Sequence, residues 1–262
     1  MEEEFRNIND GQTPLTNAEL FKALLLNPEN ANVYDDGHKE DINAKLYEMA
    51  FQWDEMEQNL RNDDFWFFIS NDECTERTHL DYLFELFSVR LEARRPGKGL
   101  NGKPKSNFDI FKTTLTNLDK KRDRYSFLAV KAYIEYLDCS TNDNRRFESI
   151  KQVWQEIVEQ YNHLHSWYSN PELYHTIGYL ISTEKSKSSN SIVPGIVIDL
   201  FNNYKDKDLS EVKNYVRKKI TEHLKSQIVE DDKKSNITIF SSNYYERNKK
   251  DIRDFLLFII GT

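Results

Sequence analysis

The sequence predicts a mainly α-helical protein, a multi-helix, bundle-like domain, and three observations indicate this class. Glycine and proline are scarce, with eight and six among 262 residues, whereas Phe, Tyr and Trp make up 13%. That balance favours long helices over a turn-rich β-sandwich. Apolar residues recur at helical spacing through most of the chain. After the first residues, the only strand-like run covers residues 237–240.

The first predicted helix begins after Thr16. Asn9-Asp10-Gly11 ahead of it is a turn signal, because Asn and Asp side chains bond their own backbone and Gly accepts positive φ. Thr16 and Glu19 have the spacing of a capping box, in which each side chain satisfies a backbone N–H of the other residue. Leu15 and Leu20 occupy the positions of a hydrophobic staple. The helix is therefore expected to continue along its apolar face to about residue 26.

The same 3.6-residue spacing predicts the remaining helices. Asn170-Pro171 is expected to stop one of them, Ser210 to cap another, and Gly178 to mark the close approach of a neighbouring helix. A polar Lys/Ser linker covers residues 184–190. The predicted segments are residues 42–60, 65–69, 80–91, 108–118, 127–137, 150–168 (the longest), 172–181, 196–201, 212–224 and 251–260.

Three blocks of the sequence resemble one known family. Residues 6–24 have the pattern Arg-x-x-Asn-Asp-Gly-x-x-Pro-Leu-Thr-x-Ala-Glu-Leu-x-x-Ala-Leu, and residues 53–68 and 173–181 add further similar blocks. The chain in this way resembles GmrSD-type (type IV) restriction endonucleases. In that family a ParB-like N-terminal domain handles a nucleotide through an Asp-Gly-Gln-Gln-Arg motif. A helical region follows it, and then a His-Asn-His nuclease domain.

The resemblance implies a division of this chain and a role for it. Residues 1–30 would be the C-terminal edge of the ParB-like α/β domain, and residues 31–262 the helical middle domain. Asp10-Gly11-Gln12 is followed by Thr-Pro, not Gln-Arg, and no His-Asn-His constellation occurs before Thr262. We therefore expect a fragment or subunit without activity of its own, coupling the two missing domains. The NTP and the divalent metal would belong to those domains, with no cofactor in this chain.

The resemblance also implies where a nucleotide would be contacted. The residues that match the edge of the family motif are Arg6, Asn9, Asp10 and Gly11. A stand-alone helical interaction module, whose partner chain supplies any chemistry, is the alternative interpretation.

A basic segment between two predicted helices is the candidate DNA contact. Residues 94–106 carry five basic residues and no acid. The run from Gly97 to Lys103 matches the first seven positions of a P-loop, but Pro104 stands where Ser or Thr should hold Mg²⁺. A solvated loop is the better interpretation, and a function for it would be contact with DNA phosphates. The residues concerned are Arg94, Arg95, Lys98, Lys103 and Lys105.

The sequence gives only weak support for other catalytic, metal-binding or base-stacking residues. His163 and His165 are two residues apart, so one helix cannot direct both at a metal. His175 is better interpreted as a packing residue than as a catalytic base. The four tryptophans at helical spacing are expected in the core and not as base-stacking platforms.

Charge and composition argue against several classes of protein. The net charge of −8 provides no global field for nucleic acid. Cys74 and Cys139 have no metal or redox spacing, which indicates a reducing compartment. No run approaches the ~20 apolar residues of a membrane span. We expect a cytoplasmic protein.

Overall fold

The structure, a computed structural model, describes residues 16–30, 39–70, 78–94, 106–118, 124–140, 146–184 and 192–233. Within these ranges the chain forms ten helices and no strand, which confirms the mainly α, bundle-like prediction. The helices are α1 (Asn17–Leu26), α2 (Lys39–Leu60), α3 (Asp63–Ile69), α4 (Leu80–Ala93), α5 (Ser106–Asn117), α6 (Tyr125–Ser140), α7 (Arg146–Tyr168), α8 (Pro171–Thr183), α9 (Gly195–Tyr204) and α10 (Leu209–Lys233).

Several predictions lie outside the described residues. They concern the N-terminal α/β remnant up to residue 15, the strand-like run at 237–240 and the helix at 251–260. The boundary placed at residue 30 stays a prediction.

The bundle is built around α4, which is buried on nearly every side. The helix packs against α1, α2, α6, α7 and α9. Its sequence explains this position, because apolar residues occupy all faces of the helix and not one stripe. The buried positions are Leu80, Asp81, Tyr82, Leu83, Phe84, Leu86, Phe87, Ser88 and Leu91.

Helix α1 is fastened to α4 by an aromatic stack. The rings of Phe21 and Phe84 lie 3.6 Å apart between centroids at an interplanar angle of 8°, and both side chains are fully buried. The predicted capping box is present: the Thr16 Oγ1 accepts from the Glu19 N–H at 3.3 Å, and the Thr16 N–H donates to the Glu19 carboxylate at 2.7 Å. Local capping therefore starts α1, and the stack with α4 positions it.

Carboxylates from other parts of the chain satisfy the N-terminal ends of two helices. The Leu80 N–H at the start of α4 donates to the Glu57 carboxylate of α2 at 3.0 Å. The Gly195 and Ile196 N–H groups of α9 donate to Glu184 at 2.7 and 2.6 Å. The first N–H groups of a helix have no partner inside it, and an anion there also interacts favourably with the helix dipole. These long-range caps satisfy the first N–H groups of α4, which begins inside the bundle, and of α9, which begins at its surface.

The tryptophans confirm the predicted core. Trp53, Trp66, Trp154 and Trp167 are each about 2% exposed. Because their faces are covered by other side chains, none of them offers a surface for stacking a nucleic acid base.

Three local predictions are wrong. Asp208, not Ser210, caps α10: its Oδ1 accepts from the Glu211 N–H at 2.8 Å and from the Ser210 hydroxyl at 2.6 Å, because the helix begins at Leu209. A Cβ added to Gly178 would have no neighbour within 4 Å among the described residues, so none of the ten helices approaches closely there. At 25 residues α10 is longer than α7, which has 23.

Replacing Thr16 with alanine tests the capping box. We expect Thr16→Ala to lower the free energy of unfolding by about 1 kcal/mol, the usual cost of losing a good N-cap. Thr113→Ala, on the exposed side of α5, is the control and should change stability by less than about 0.5 kcal/mol. Urea denaturation monitored by circular dichroism measures both. Equal effects of the two variants would contradict a capping role for Thr16.

A pair of phenylalanine variants tests the central stack. Phe84→Ala should destabilise the protein by about 3–5 kcal/mol, because it removes a fully buried ring and leaves a cavity against Phe21. Phe51→Ala removes the same ring from an exposed position of α2 and should cost less than about 0.5 kcal/mol. The measurement is again chemical denaturation. A small effect of Phe84→Ala would show that α4 is not the centre of the core.

Candidate functional site

One of the contact residues predicted from the sequence lies in the part of the chain that the structure describes. Arg94 follows the last residue of α4 and lies within the described part of the chain. The predicted nucleotide contacts and the other predicted DNA contacts lie outside it. They are Arg6, Asn9, Asp10 and Gly11 for the nucleotide, and Arg95, Lys98, Lys103 and Lys105 for DNA.

The guanidinium of Arg94 is held by two other helices. It donates to the Glu156 carboxylate of α7 and to the Tyr133 hydroxyl of α6, and it lies 4.6 Å from the centroid of the Tyr133 ring. Its side chain is 30% exposed. The charge of Arg94 is therefore compensated, and a contact with a DNA phosphate would compete with Glu156. Whether Arg94 contacts DNA stays a prediction.

Tyr133 stays neutral in this cluster. Burial raises the pKa of the Tyr133 hydroxyl, Arg94 opposes the shift, and Glu156 adds to it. The neutral hydroxyl accepts from Arg94 and donates to Glu156 at 3.2 Å. It therefore orients both charged groups.

The C-terminal end of α4 is also tied to α5 and α6. The Lys112 ammonium donates to the carbonyl oxygens of Leu91 and Glu92 at 3.0 and 2.5 Å. Burial lowers the pKa of Lys112, and Glu92 opposes that shift. A cation at the last carbonyls of a helix satisfies their lone pairs and interacts favourably with the dipole. The basic segment therefore begins at a position that is fixed by α5, α6 and α7.

A second arginine, one turn earlier on α4, has a structural role. The Arg90 guanidinium donates to the Gln160 amide oxygen at 2.8 Å and lies 5.0 Å from the centroid of the Phe201 ring. Gln160 is fully buried, and its amide donates to the Leu83 carbonyl at 2.8 Å. Arg90 and Gln160 thus join α4, α7 and α9, and neither was identified from the sequence.

An interhelical groove of about 490 Å³ lies between α2 and α7. The Trp154 indole N–H donates to the Gln52 amide oxygen at 2.7 Å beside it. Since Trp154 is buried, the groove cannot stack an aromatic ligand on that ring. Its lysines are paired within their own helices, Lys45 with Glu48 at 2.5 Å and Lys151 with Glu148 at 3.3 Å. The other lining residues are Met49, Gln155, Val158, Glu159, Asn162 and His163.

The candidate histidines of α7 and α8 have separate surroundings. His163 is half-buried, 3.8 Å from Glu159, with its ring 6.1 Å from that of Phe201. His165 and His175 are exposed, and the His175 ring lies 5.2 Å from that of its neighbour Tyr174. Among the described residues, no group of three or more His, Cys, Asp or Glu side chains is placed to hold a metal ion.

No family model, no curated protein and no solved structure matches this chain. In the part of the chain that the structure describes, no helix combines the length and the apolar character that crossing a membrane requires.

Proposed function

We propose that this chain is the helical coupling region of a GmrSD-like, modification-dependent DNA restriction protein acting in phage defence in the cytoplasm. As a fragment or a subunit, it joins a nucleotide-handling ParB-like domain to a His-Asn-His nuclease domain and is itself inactive. The NTP and the divalent metal belong to those two domains. The resemblance of residues 6–24, 53–68 and 173–181 to that family is the source of the proposal.

The single observation that supports a coupling role is the connection of both predicted contact segments to α4. Residues 6–11, the predicted nucleotide edge, precede α1, which is stacked on α4 through Phe21 and Phe84. The basic segment, which starts at Arg94, follows α4 directly. A helix packed on nearly every side moves as a rigid element, because close-packed interiors transmit strain. A displacement at α1 would thus reach the basic segment through α4.

The three resembling blocks also contact one another or the same helix in the fold. Phe21 of the first block and Trp53 of the second both pack against Phe84, at 3.6 and 5.5 Å between ring centroids. Phe68 of the second block stacks on Tyr174 of the third at 5.6 Å. Blocks that lie more than 100 residues apart in sequence therefore belong to one packed body. This arrangement supports a common structural role for them.

The alternative function is a stand-alone helical protein-interaction module. The observation that favours it is an exposed aromatic pair on α2, Tyr47 and Phe51, which the bundle itself does not cover. The two proposals differ in what the isolated chain needs: a pair of missing domains, or one partner chain.

The restriction proposal predicts that the purified chain turns over neither nucleotide nor DNA. Incubation with NTPs, or with modified and unmodified DNA, in Mg²⁺ or Mn²⁺ should yield no hydrolysis above a buffer control. In a parent protein or complex that contains both catalytic domains, Asn9→Ala and Asp10→Ala should impair nucleotide-dependent cleavage. Metal-dependent turnover by the isolated chain that survives stringent purification would contradict the proposal.

The basic segment is the proposed DNA contact, and charge neutralisation tests it. With a net charge of −8, binding should be weak and steeply salt-dependent. A plot of the logarithm of the binding constant against the logarithm of salt concentration should have a negative slope. Five phosphate contacts would make this slope no steeper than about −4 to −5. Fluorescence anisotropy with a labelled duplex measures it. Glutamine substitution should abolish binding when it covers Arg94, Arg95, Lys98, Lys103 and Lys105.

Three exposed lysines on α6 and α10 and at the α9–α10 connection provide the control, which removes three positive charges instead of five. Their substitution by glutamine should leave DNA binding within about twofold, since phosphate contacts act locally. Binding that survives neutralisation of the basic segment, or that the control abolishes, would place the DNA contact elsewhere. The control residues are Lys131, Lys207 and Lys218.

A further inference from the structure

The solvent face of α2 carries two large aromatic side chains that the bundle leaves uncovered. Tyr47 and Phe51 are 77% and 71% exposed, the highest values among the large apolar side chains of the described residues. They are four residues apart, so they lie side by side on one face of the helix. Single exposed apolar residues are common on protein surfaces, whereas large contiguous apolar patches mark interaction sites. Tyr47 and Phe51 together form one contiguous aromatic patch.

Acidic side chains surround the aromatic pair. The carboxylates of Glu40, Glu48, Asp54 and Glu55 are exposed on the same helix. We refer to these four residues with Tyr47 and Phe51 as the acidic–aromatic face.

Two of the four carboxylates have a cation nearby. Lys45 pairs with Glu48 at 2.5 Å, and Lys22 lies 3.6 Å from Asp54. No ion pair involves Glu40 or Glu55 within the described ranges, whose gaps include residues 31–38. The face therefore presents more carboxylates than cations.

The other side of α2 holds this face rigidly. Leu46, Met49, Trp53 and Met56 are buried, and Trp53 stacks on Trp154 of α7 at 5.9 Å between ring centroids. A partner would thus meet side chains on a preformed helix, and little conformational entropy would be lost from the backbone on binding.

The chemistry of the face selects the class of partner. Its carboxylates repel DNA, RNA and anionic membranes, because proteins bind these polyanions through cationic side chains. They complement a basic surface, and electrostatic complementarity of this kind steers association and selects partners. Two anchors at positions i and i+4 match the mode in which one helix places apolar side chains in a hydrophobic groove.

We propose that the acidic–aromatic face of α2 docks into an apolar groove, rimmed by lysine or arginine, on another protein. Tyr47 and Phe51 fill the groove and the carboxylates pair with its rim. Aromatic side chains at the centre of an interface carry a large share of the binding energy, whereas charged rim residues contribute mainly to rate and specificity. The inference rests on the α2 surface alone and does not depend on the restriction proposal.

A synthetic helical-hairpin peptide of leucine and lysine is the probe, because the groove between its two helices is lined by leucine and rimmed by lysine. Binding of this peptide to the full chain is measured by isothermal titration calorimetry at two salt concentrations. Tyr47→Ser/Phe51→Ser should weaken binding at least tenfold, as expected for loss of central aromatic anchors. Asp54→Asn/Glu55→Gln should weaken it less and reduce its salt dependence.

Ile110→Ser is the matched control, since Ile110 is 66% exposed on α5, away from the acidic–aromatic face. It should leave peptide affinity unchanged, and thermal unfolding should show that all variants remain folded. A leucine–glutamate peptide of equal length should not bind.

Three results would overturn the proposal. The first is no binding of the lysine peptide, or equal binding of the glutamate peptide. The second is an affinity that Tyr47→Ser/Phe51→Ser leaves unchanged. The third is a concentration-dependent dimer, seen by sedimentation without peptide, that Tyr47→Ser/Phe51→Ser abolishes, because the occupant of the face would then be a second copy of the chain.

Discussion

At Phe84, in the middle of α4, aromatic rings from two other helices meet. Phe21 of α1 stacks on it, Trp53 of α2 packs at a tilt against it, and Trp53 in turn stacks on Trp154 of α7. This chain of four rings joins four helices through contacts that each bury a large apolar area. Because α4 is covered on nearly every side, the positions of its neighbours depend on the packing of these rings.

Burying a helix has a polar cost, since its terminal N–H and C=O groups leave water. At α4 these groups are hydrogen-bonded at both ends. The Glu57 carboxylate accepts from the Leu80 N–H, and the Lys112 ammonium donates to the last carbonyls. Along the helix, Gln160 satisfies the Leu83 carbonyl and binds Arg90. The polar network therefore holds α4 in register with α2, α5 and α7, where apolar packing alone would tolerate sliding.

The two proposed surfaces depend on this arrangement in different ways. The basic segment starts at Arg94, whose guanidinium is bound by Glu156 and Tyr133, so its first residue is fixed by α6 and α7. Tyr47 and Phe51 are exposed because the opposite face of α2 is occupied by the core. On the two proposals, a rigid bundle would present a DNA contact at one place and a protein contact at another. Such a division suits a region that links other parts of an assembly.

The sequence by itself determined the helices, the capping box and the tryptophan core. These features depend on local geometry: the 3.6-residue spacing places apolar side chains on one face, and Thr16 and Glu19 meet within a single turn. The candidate site was only partly predictable. Arg94 was selected for its charge, but its pairing with Glu156, 62 residues away, requires α4 and α7 to be packed together. Only the tertiary structure decided which long-range partners exist, because non-local contacts follow from packing and not from spacing along the chain.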